Sequence, residues 1–158
     1  MRNFNTKSIE NSYEEYKKLG FTCSTVKLLE DPNGAKQMKV LYKFNSITLN
    51  NCLNYCNSKD NCICILTGER SKIVVIDIDQ KDNGMDMWKT LIQGNKEPDT
   101  LKVRSGNGGL HYYFQLDERT SLLKNKSKVT IQNTKVGIDI RSEKGIIYAP
   151  PTKINMTA

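Results

Sequence analysis

The chain has 158 residues and carries 24 Lys and Arg against 17 Asp and Glu, a formal net charge of +7. This length suits one domain with a hydrophobic core, which we expect over residues 1–158. No stretch approaches the ~20 apolar residues of a membrane span, and the polar N-terminus lacks a signal-peptide core, so we expect an intracellular protein and no membrane partner. The positive charge is compatible with a polyanionic partner but does not identify one.

The first third of the chain alternates helix and strand patterns. Gly20 suits a helix C-terminus, and the DPNG sequence suits a turn between strands. The predicted elements are a helix over 8–19, strands over 26–30 and 38–44, a helix over 47–56 with Ser46 as its cap, and a strand over 61–66.

The five cysteines are predicted to be small buried hydrophobic residues. An odd count in an intracellular chain argues against a disulfide framework. Since the chain has no Cys-x-x-Cys pair and its one histidine is distant in sequence, no zinc site is expected. The cysteines are Cys23, Cys52, Cys56, Cys62 and Cys64.

The rest of the chain is richer in strands. The run KIVVID predicts a buried strand, and SGNGG predicts a turn between two more. The predicted elements are strands over 72–77, 99–105, 110–116, 136–141 and 145–150, a helix over 86–92, and a basic, irregular segment over 119–135. This mixture indicates an α+β, or mixed α/β, fold with an antiparallel-rich sheet.

Two carboxylates interrupt the end of the first of these strands. Because side chains alternate with period two, Asp77 and Asp79 share one face. By the same rule, His111 lies on one face of its strand, and Asp139 and Arg141 share a face of theirs. If these strands form one sheet, the polar faces converge on a single site.

Three converging carboxylates repel one another and favour a divalent cation, for which oxygen ligands suit Mg²⁺ or Mn²⁺. The adjacent sequence RSGNGGLH suits an anion. Its glycines allow backbone N–H groups to approach a phosphate closely. Ser105 can donate a hydroxyl, and His111 and Arg141 can bind a triphosphate directly.

In this order, the motifs resemble the primase-polymerase domain of the archaeo-eukaryotic primase superfamily, especially the versions fused to helicases in viruses and plasmids. The matching motifs are VVIDID, SGNGGLH leading into YYF, and GIDIR. Thr67-Gly68 before the first motif and APPT after the third also match. The resemblance covers roughly residues 61–152.

The resemblance implies the archaeo-eukaryotic primase catalytic fold, a two-part α/β structure with an RRM-like module and a site between the parts. The implied catalytic residues, which hold two Mg²⁺ or Mn²⁺ ions, are Asp77, Asp79 and Asp139. The implied nucleotide-binding residues are Ser105, Gly106, His111 and Arg141. The metal ions, rather than protein partners, would then compensate the carboxylate charges.

The implied function is that of a DNA primase or primase-polymerase, a template-dependent nucleotidyltransferase that synthesises primers on single-stranded DNA from NTPs or dNTPs. A protein of this type works in the cytoplasm, the nucleus or a viral replication site. Because the family continues beyond the Pro-Pro, we expect an N-terminal part of a longer primase-helicase. Template phosphates are expected to contact Lys124, Lys126 and Lys128.

Two other functions fit parts of the sequence. A non-catalytic RRM-like module would bind nucleic acid by stacking bases on Tyr112 and Tyr113, without metal. A DxD-dependent glycosyltransferase would use Asp77 and Asp79 to hold manganese against a nucleotide-sugar. The glycosyltransferase function leaves Ser105, His111 and Asp139 unexplained.

Overall fold

The structure is a computed structural model that describes residues 9–30, 32–33, 36–40 and 61–152. Within them lie helices α1 (Ile9–Lys18) and α2 (Gly84–Ile92) and a short 3-10 helix (Thr120–Leu122). The strands are β1 (Cys23–Glu30), β2 (Lys36–Val40), β3 (Asn61–Leu66), β4 (Ile73–Ile78), β5 (Leu101–Arg104), β6 (Leu110–Gln115), β7 (Thr130–Ile131), β8 (Thr134–Lys135), β9 (Ile138–Arg141) and β10 (Ile146–Tyr148). Helices combined with antiparallel sheets confirm the predicted α+β class.

Most predicted elements are present, but some boundaries differ. Helix α2 begins at Gly84, two residues before the predicted start, because Asn83 turns the chain in a left-handed conformation with φ 58°. The basic segment, predicted to be irregular, contains the hairpin β7–β8. Its two-residue turn, Gln132-Asn133, has positive φ at both positions, as tight hairpin turns require. The helix predicted over 47–56 and the end of the strand over 38–44 lie outside the described residues.

The chain divides into two compact units, the first formed by Met1–Leu66 with Ile147–Ala158. Its sheet has the strand order β10-β3-β1-β2. The centre of β3 is buried, and residues after β10 are fastened to it, since Thr152 Oγ1 accepts a 2.9 Å bond from the Ile63 N–H. Cys23 and Cys64 are buried here, and neither forms a disulfide. The side chains of the other three cysteines lie outside the description.

The second unit, Thr67–Ile146, contains an antiparallel sheet in the order β5-β6-β4-β9. The first and third strands of the unit, β4 and β6, are central, and α2 connects the first strand to the second. This order is that of an RRM-like module. The connection from β6 to β9, where such modules carry a second helix, contains the 3-10 helix and the β7–β8 hairpin instead.

One face of this sheet forms the core of the second unit. Ile78, Tyr112 and Ile138 are buried there, and Trp88 of α2 packs against Tyr112 with ring centroids 4.9 Å apart. Burying each large apolar side chain stabilises the fold by about 1.5–3 kcal/mol. The opposite face carries the polar side chains of β4, β6 and β9.

The Thr67-Gly68 pair anchors the turn that follows β9. The Thr67 hydroxyl donates a 2.6 Å bond to the Ser142 carbonyl, and the Thr67 N–H donates a 2.9 Å bond to Gly145 O. Gly68 has φ +78°, and a Cβ there would lie 2.6 Å from the Glu143 Cα. Only glycine therefore fits this approach, which fixes β9 at its C-terminal end.

Candidate functional site

Three polar side chains form a row across neighbouring strands. Asp77 of β4 lies opposite Asp139 of β9 on one side and opposite His111 of β6 on the other. Arg141 belongs to the next row on the same face, because it lies opposite Val75. The three strands thus lie in one sheet with their polar faces on one side, as the alternation predicts.

His111 is buried and uses one of its ring nitrogens. Its Nε2 lies 3.3 Å from Asp77 Oδ1, and 6% of the residue is exposed. Its Nδ1 is buried and has no hydrogen-bond partner among the described residues. An unsatisfied buried polar atom costs roughly 1–3 kcal/mol. The unused nitrogen therefore marks a position where a polar ligand would be favourable.

Asp79 directly follows β4, where its N–H donates a 2.7 Å bond to Gly137 O. Burial raises the pKa of its carboxyl above the ordinary value, and the negative charges of Asp77, Asp139 and Asp82 raise it further. The environment of this side chain thus disfavours its charged form. Burial is the first cause of the raised pKa, and repulsion from the neighbouring carboxylates is the second.

Asp139 differs because both of its carboxylate oxygens have protein partners. Oδ1 accepts a 2.7 Å bond from the Lys128 backbone N–H, and Oδ2 pairs with the Arg141 guanidinium. The Arg141 Nη1 also lies 3.3 Å from Ser127 Oγ. Protein groups therefore compensate part of the charge that the sequence argument assigned to metal.

The glycine-rich turn between β5 and β6 lies beside the end of β4. Its shape is set by bonds from the Ser105 N–H to Gly109 O, 3.0 Å, and from the Gly108 N–H to Ser105 O, 3.1 Å. A Cβ at Gly109 would lie 2.3 Å from the Ile78 carbonyl oxygen, whereas one at Gly106 would meet no atom of the described residues within 4 Å. The turn is thus packed on the strand end at one glycine and open at another.

The three lysines predicted to contact the template have different surroundings. All three are exposed, and the backbone of Lys126 pairs with that of Ile140 in β9. The ammonium of Lys128, however, lies 2.8 Å from Asp82 Oδ2. Sequence reasoning missed Asp82 as part of this arrangement, since nothing in the local pattern distinguishes it from a turn residue.

The aromatic pair of β6 is not a surface for base stacking. Tyr112 and Tyr113 are buried, with 1% and 5% of each residue exposed. The Tyr112 hydroxyl donates a 2.6 Å bond to Glu97, whose carboxylate lies 3.1 Å from the Lys102 ammonium. These contacts give Tyr112 a structural role and remove the feature that favoured an RNA-stacking module.

The acidic cluster offers oxygen ligands, which suit Mg²⁺ or Mn²⁺. Among the residues described, no three His, Cys, Asp or Glu side chains already stand in the arrangement of a metal-ion site. The negative charges of Asp77, Asp139 and Asp82 around Asp79 nevertheless fit the chemistry of a divalent cation.

A family model described as bifunctional DNA primase/polymerase, N-terminal (Prim-Pol), matches residues 34–158. The chain belongs to the Prim-Pol family. A search of curated proteins found no match. Membership assigns the chain to the DNA primase/polymerases, nucleotidyltransferases that act on DNA and nucleotides. Within the described part of this Prim-Pol chain, no helix has the length and apolar character needed to cross a membrane.

Proposed function

We propose that this Prim-Pol domain is a template-dependent nucleotidyltransferase that synthesises primers on single-stranded DNA by two-metal phosphoryl transfer. The observation that carries the proposal is the row of Asp139, Asp77 and His111 across three adjacent strands, with Asp79 directly beyond it. These carboxylates stand next to His111, whose Nδ1 has no partner in the described part of the chain, so groups that bind metal and a group that binds phosphate would lie at one place.

Asp77, Asp79 and Asp139 would hold the Mg²⁺ or Mn²⁺ ions. The surroundings of Asp79 support this role, because burial and the repulsion of neighbouring carboxylates both raise its pKa, and a nearby cation would relieve that repulsion. Bound metal would neutralise phosphate charge and acidify the attacking hydroxyl.

The nucleotide triphosphate would lie against the glycine-rich turn and β6. Gly106 leaves open space for a phosphate, and the adjacent Ser105 offers a hydroxyl. His111 would bind the phosphates through its unpartnered Nδ1. Arg141 would share its guanidinium between Asp139 and an anionic oxygen, since it has several donors in a fixed fork.

The reaction joins the primer 3′ oxygen to the α-phosphorus of the nucleotide. The bond from that phosphorus to the bridging oxygen breaks, pyrophosphate leaves, and the hydroxyl proton passes to solvent. The protein contributes mainly by positioning the reactants and by stabilising charge on the phosphates.

The template is proposed to cross the basic segment, where Lys124 and Lys126 are exposed. We further propose that the domain works with a helicase in the same full-length chain, in viral or plasmid DNA replication inside the cell. The helicase proposal rests on the sequence resemblance to helicase-fused primase-polymerases, and the family description adds only that the domain is N-terminal.

The test is incorporation of labelled NTPs and dNTPs on single-stranded DNA with Mg²⁺ or Mn²⁺. Wild type should extend primers, and Asp77→Ala should lose synthesis by orders of magnitude. Asp86→Ala is the matched control, because Asp86 is an exposed aspartate on α2 that pairs with Lys89, with Nζ and Oδ1 3.5 Å apart. Metal-independent binding of nucleic acid without any synthesis would support the non-catalytic module instead.

A further inference from the structure

The segment beside β9 contains an irregularity opposite Asp139. Lys126 pairs with Ile140, and the Val129 N–H donates a 2.9 Å bond to Ile138 O. Two residues, Ser127 and Lys128, therefore stand opposite the single residue Asp139 of β9. This is the arrangement of a β-bulge, a feature that redirects groups next to functional sites.

Lys128 adopts an unusual backbone conformation within this bulge. Its φ is +50°, in the left-handed region that residues other than glycine rarely occupy. The conformation directs its N–H to Asp139 Oδ1, at 2.7 Å. A side-chain carboxylate thus accepts the bond that a strand carbonyl would accept in a regular ladder.

Whereas the backbone N–H of Lys128 binds Asp139, its side chain pairs with Asp82. Its Nζ lies 2.8 Å from Asp82 Oδ2. Asp82 is itself fixed near β9, because its carbonyl accepts a 2.8 Å bond from the Gly137 N–H. The ion pair therefore connects the loop after β4 to the bulge beside β9, across the acidic end of the sheet.

We infer that the Asp82–Lys128 ion pair holds the bulge in place and that Lys128 is a positioning residue for the Asp139 carboxylate. The inference rests on the proposed function in treating Asp139 as a metal ligand. Substituting a group that orients a metal ligand typically lowers metal affinity by roughly 10–100-fold. The inference places Lys128 with the acidic cluster, so that only Lys124 and Lys126 of the three lysines remain proposed contacts of the template.

A purely electrostatic role for Lys128 leads to different expectations. If its ammonium acts only as a countercharge, then Lys128→Met should tighten metal binding, and Asp82→Asn should weaken it. If the pair positions Asp139, both substitutions break the same connection and both should weaken binding. The direction of the Lys128→Met effect therefore separates the two roles.

The first experiment measures amide hydrogen exchange at position 128 in the metal-free protein. Protection should fall about tenfold in Asp82→Asn and in Lys128→Met, while Lys128→Arg should retain it by restoring the ion pair. The matched controls are Asp86→Asn and Lys89→Met, which remove an exposed ion pair on α2 and should change nothing at position 128. Unchanged protection in Asp82→Asn and Lys128→Met would overturn the inference.

The second experiment measures Mn²⁺ affinity by calorimetry. Asp82→Asn and Lys128→Met should each weaken Mn²⁺ binding by roughly 10–100-fold. Because both break the same ion pair, the double variant should bind Mn²⁺ no more weakly than the single variant with the larger loss. Tighter or unchanged binding in Lys128→Met would refute the positioning role. If wild type binds no Mn²⁺ at all, the proposed function fails, and the exchange measurement still decides whether the ion pair holds the bulge.

Discussion

Asp77 and Asp139 lie directly opposite each other on neighbouring antiparallel strands. Like charges in such a pair destabilise a sheet, typically by about 0.2–1 kcal/mol. Arg141 and Lys128 offset part of this repulsion through their bonds to Asp139. Burial and the charges of Asp77 and Asp139 nevertheless raise the pKa of Asp79. The stability of this end of the sheet should therefore respond to removal of charge and to added cations.

Asp77→Asn should leave the metal-free protein at least as stable as wild type, because it removes repulsion from Asp139 and Asp79. Wild type with Mn²⁺ and nucleotide at 100 times Kd should gain about 2.7 kcal/mol, or roughly 5–10 °C in Tm. The variant should lose this gain. A melting series with and without both ligands provides the measurement, and a metal-dependent rise in Asp77→Asn equal to that of wild type would contradict the assignment.

Asp79→Asn should stabilise the protein at neutral pH. The folded state raises the pKa of this carboxyl, so it binds the proton more tightly than the unfolded state does. In wild type, the protonated carboxyl therefore contributes to the free energy of unfolding at pH values below its ordinary pKa of 3.8. This contribution is lost as the pH rises through the higher pKa of the folded state. Because Asn does not titrate, urea unfolding should show its advantage at pH 7 and not at about pH 3.5. If the stability advantage of Asp79→Asn over wild type grew on acidification, the pKa of Asp79 would be lowered in the folded state, which would contradict this prediction.

The glycines of the turn should differ in their tolerance of alanine. Gly109→Ala should cost about 1–3 kcal/mol of unfolding free energy, because its Cβ would meet a backbone carbonyl at 2.3 Å. Gly106→Ala should stay within about 0.5 kcal/mol of wild type, since nothing lies within 4 Å. Gly106→Ala should nevertheless raise the nucleotide KM. Denaturant unfolding and nucleotide titration together check this, and an unchanged KM would remove Gly106 from the site.

Substitutions of His111 can separate its two nitrogens. Gln retains a donor near the Nε2 position facing Asp77 but lacks Nδ1, whereas Asn retains a polar group near Nδ1. Loss of a charge-assisted bond costs roughly 1.5–3 kcal/mol, so His111→Gln should weaken nucleotide binding by about ten- to a hundredfold. His111→Asn should weaken it less. Equal affinities for wild type and His111→Gln would exclude Nδ1 as the nucleotide contact.

The salt dependence of template binding should distinguish the three lysines. Each lost phosphate contact on a single strand lowers the slope of log affinity against log salt by about 0.7. Replacing Lys124 and Lys126 together by Ala should therefore lower it by about 1.4. Lys128→Ala should leave the slope unchanged, because its ammonium is paired with Asp82. A drop for Lys128 and none for the other two would reverse the assignment.

The sequence by itself determined the strands that carry the candidate site, β4, β6 and β9, and the faces of those strands. The β-branched run of β4 favours an extended chain, and period-two alternation places Asp77 and Asp79 on one face whatever the strand pairs with. It also indicated the turn before His111. These features depend on backbone geometry and side-chain shape within a few residues, so they can be predicted without knowledge of distant segments.

Only the tertiary structure decided which side chains meet. The register that places Asp77 between Asp139 and His111, and the bulge that brings Lys128 to Asp82, depend on hydrogen bonds between segments far apart in the chain. A shift of one residue in register would move every side chain of a strand to the opposite face. Local pattern carries no information about that choice, because it is set by packing of the whole sheet.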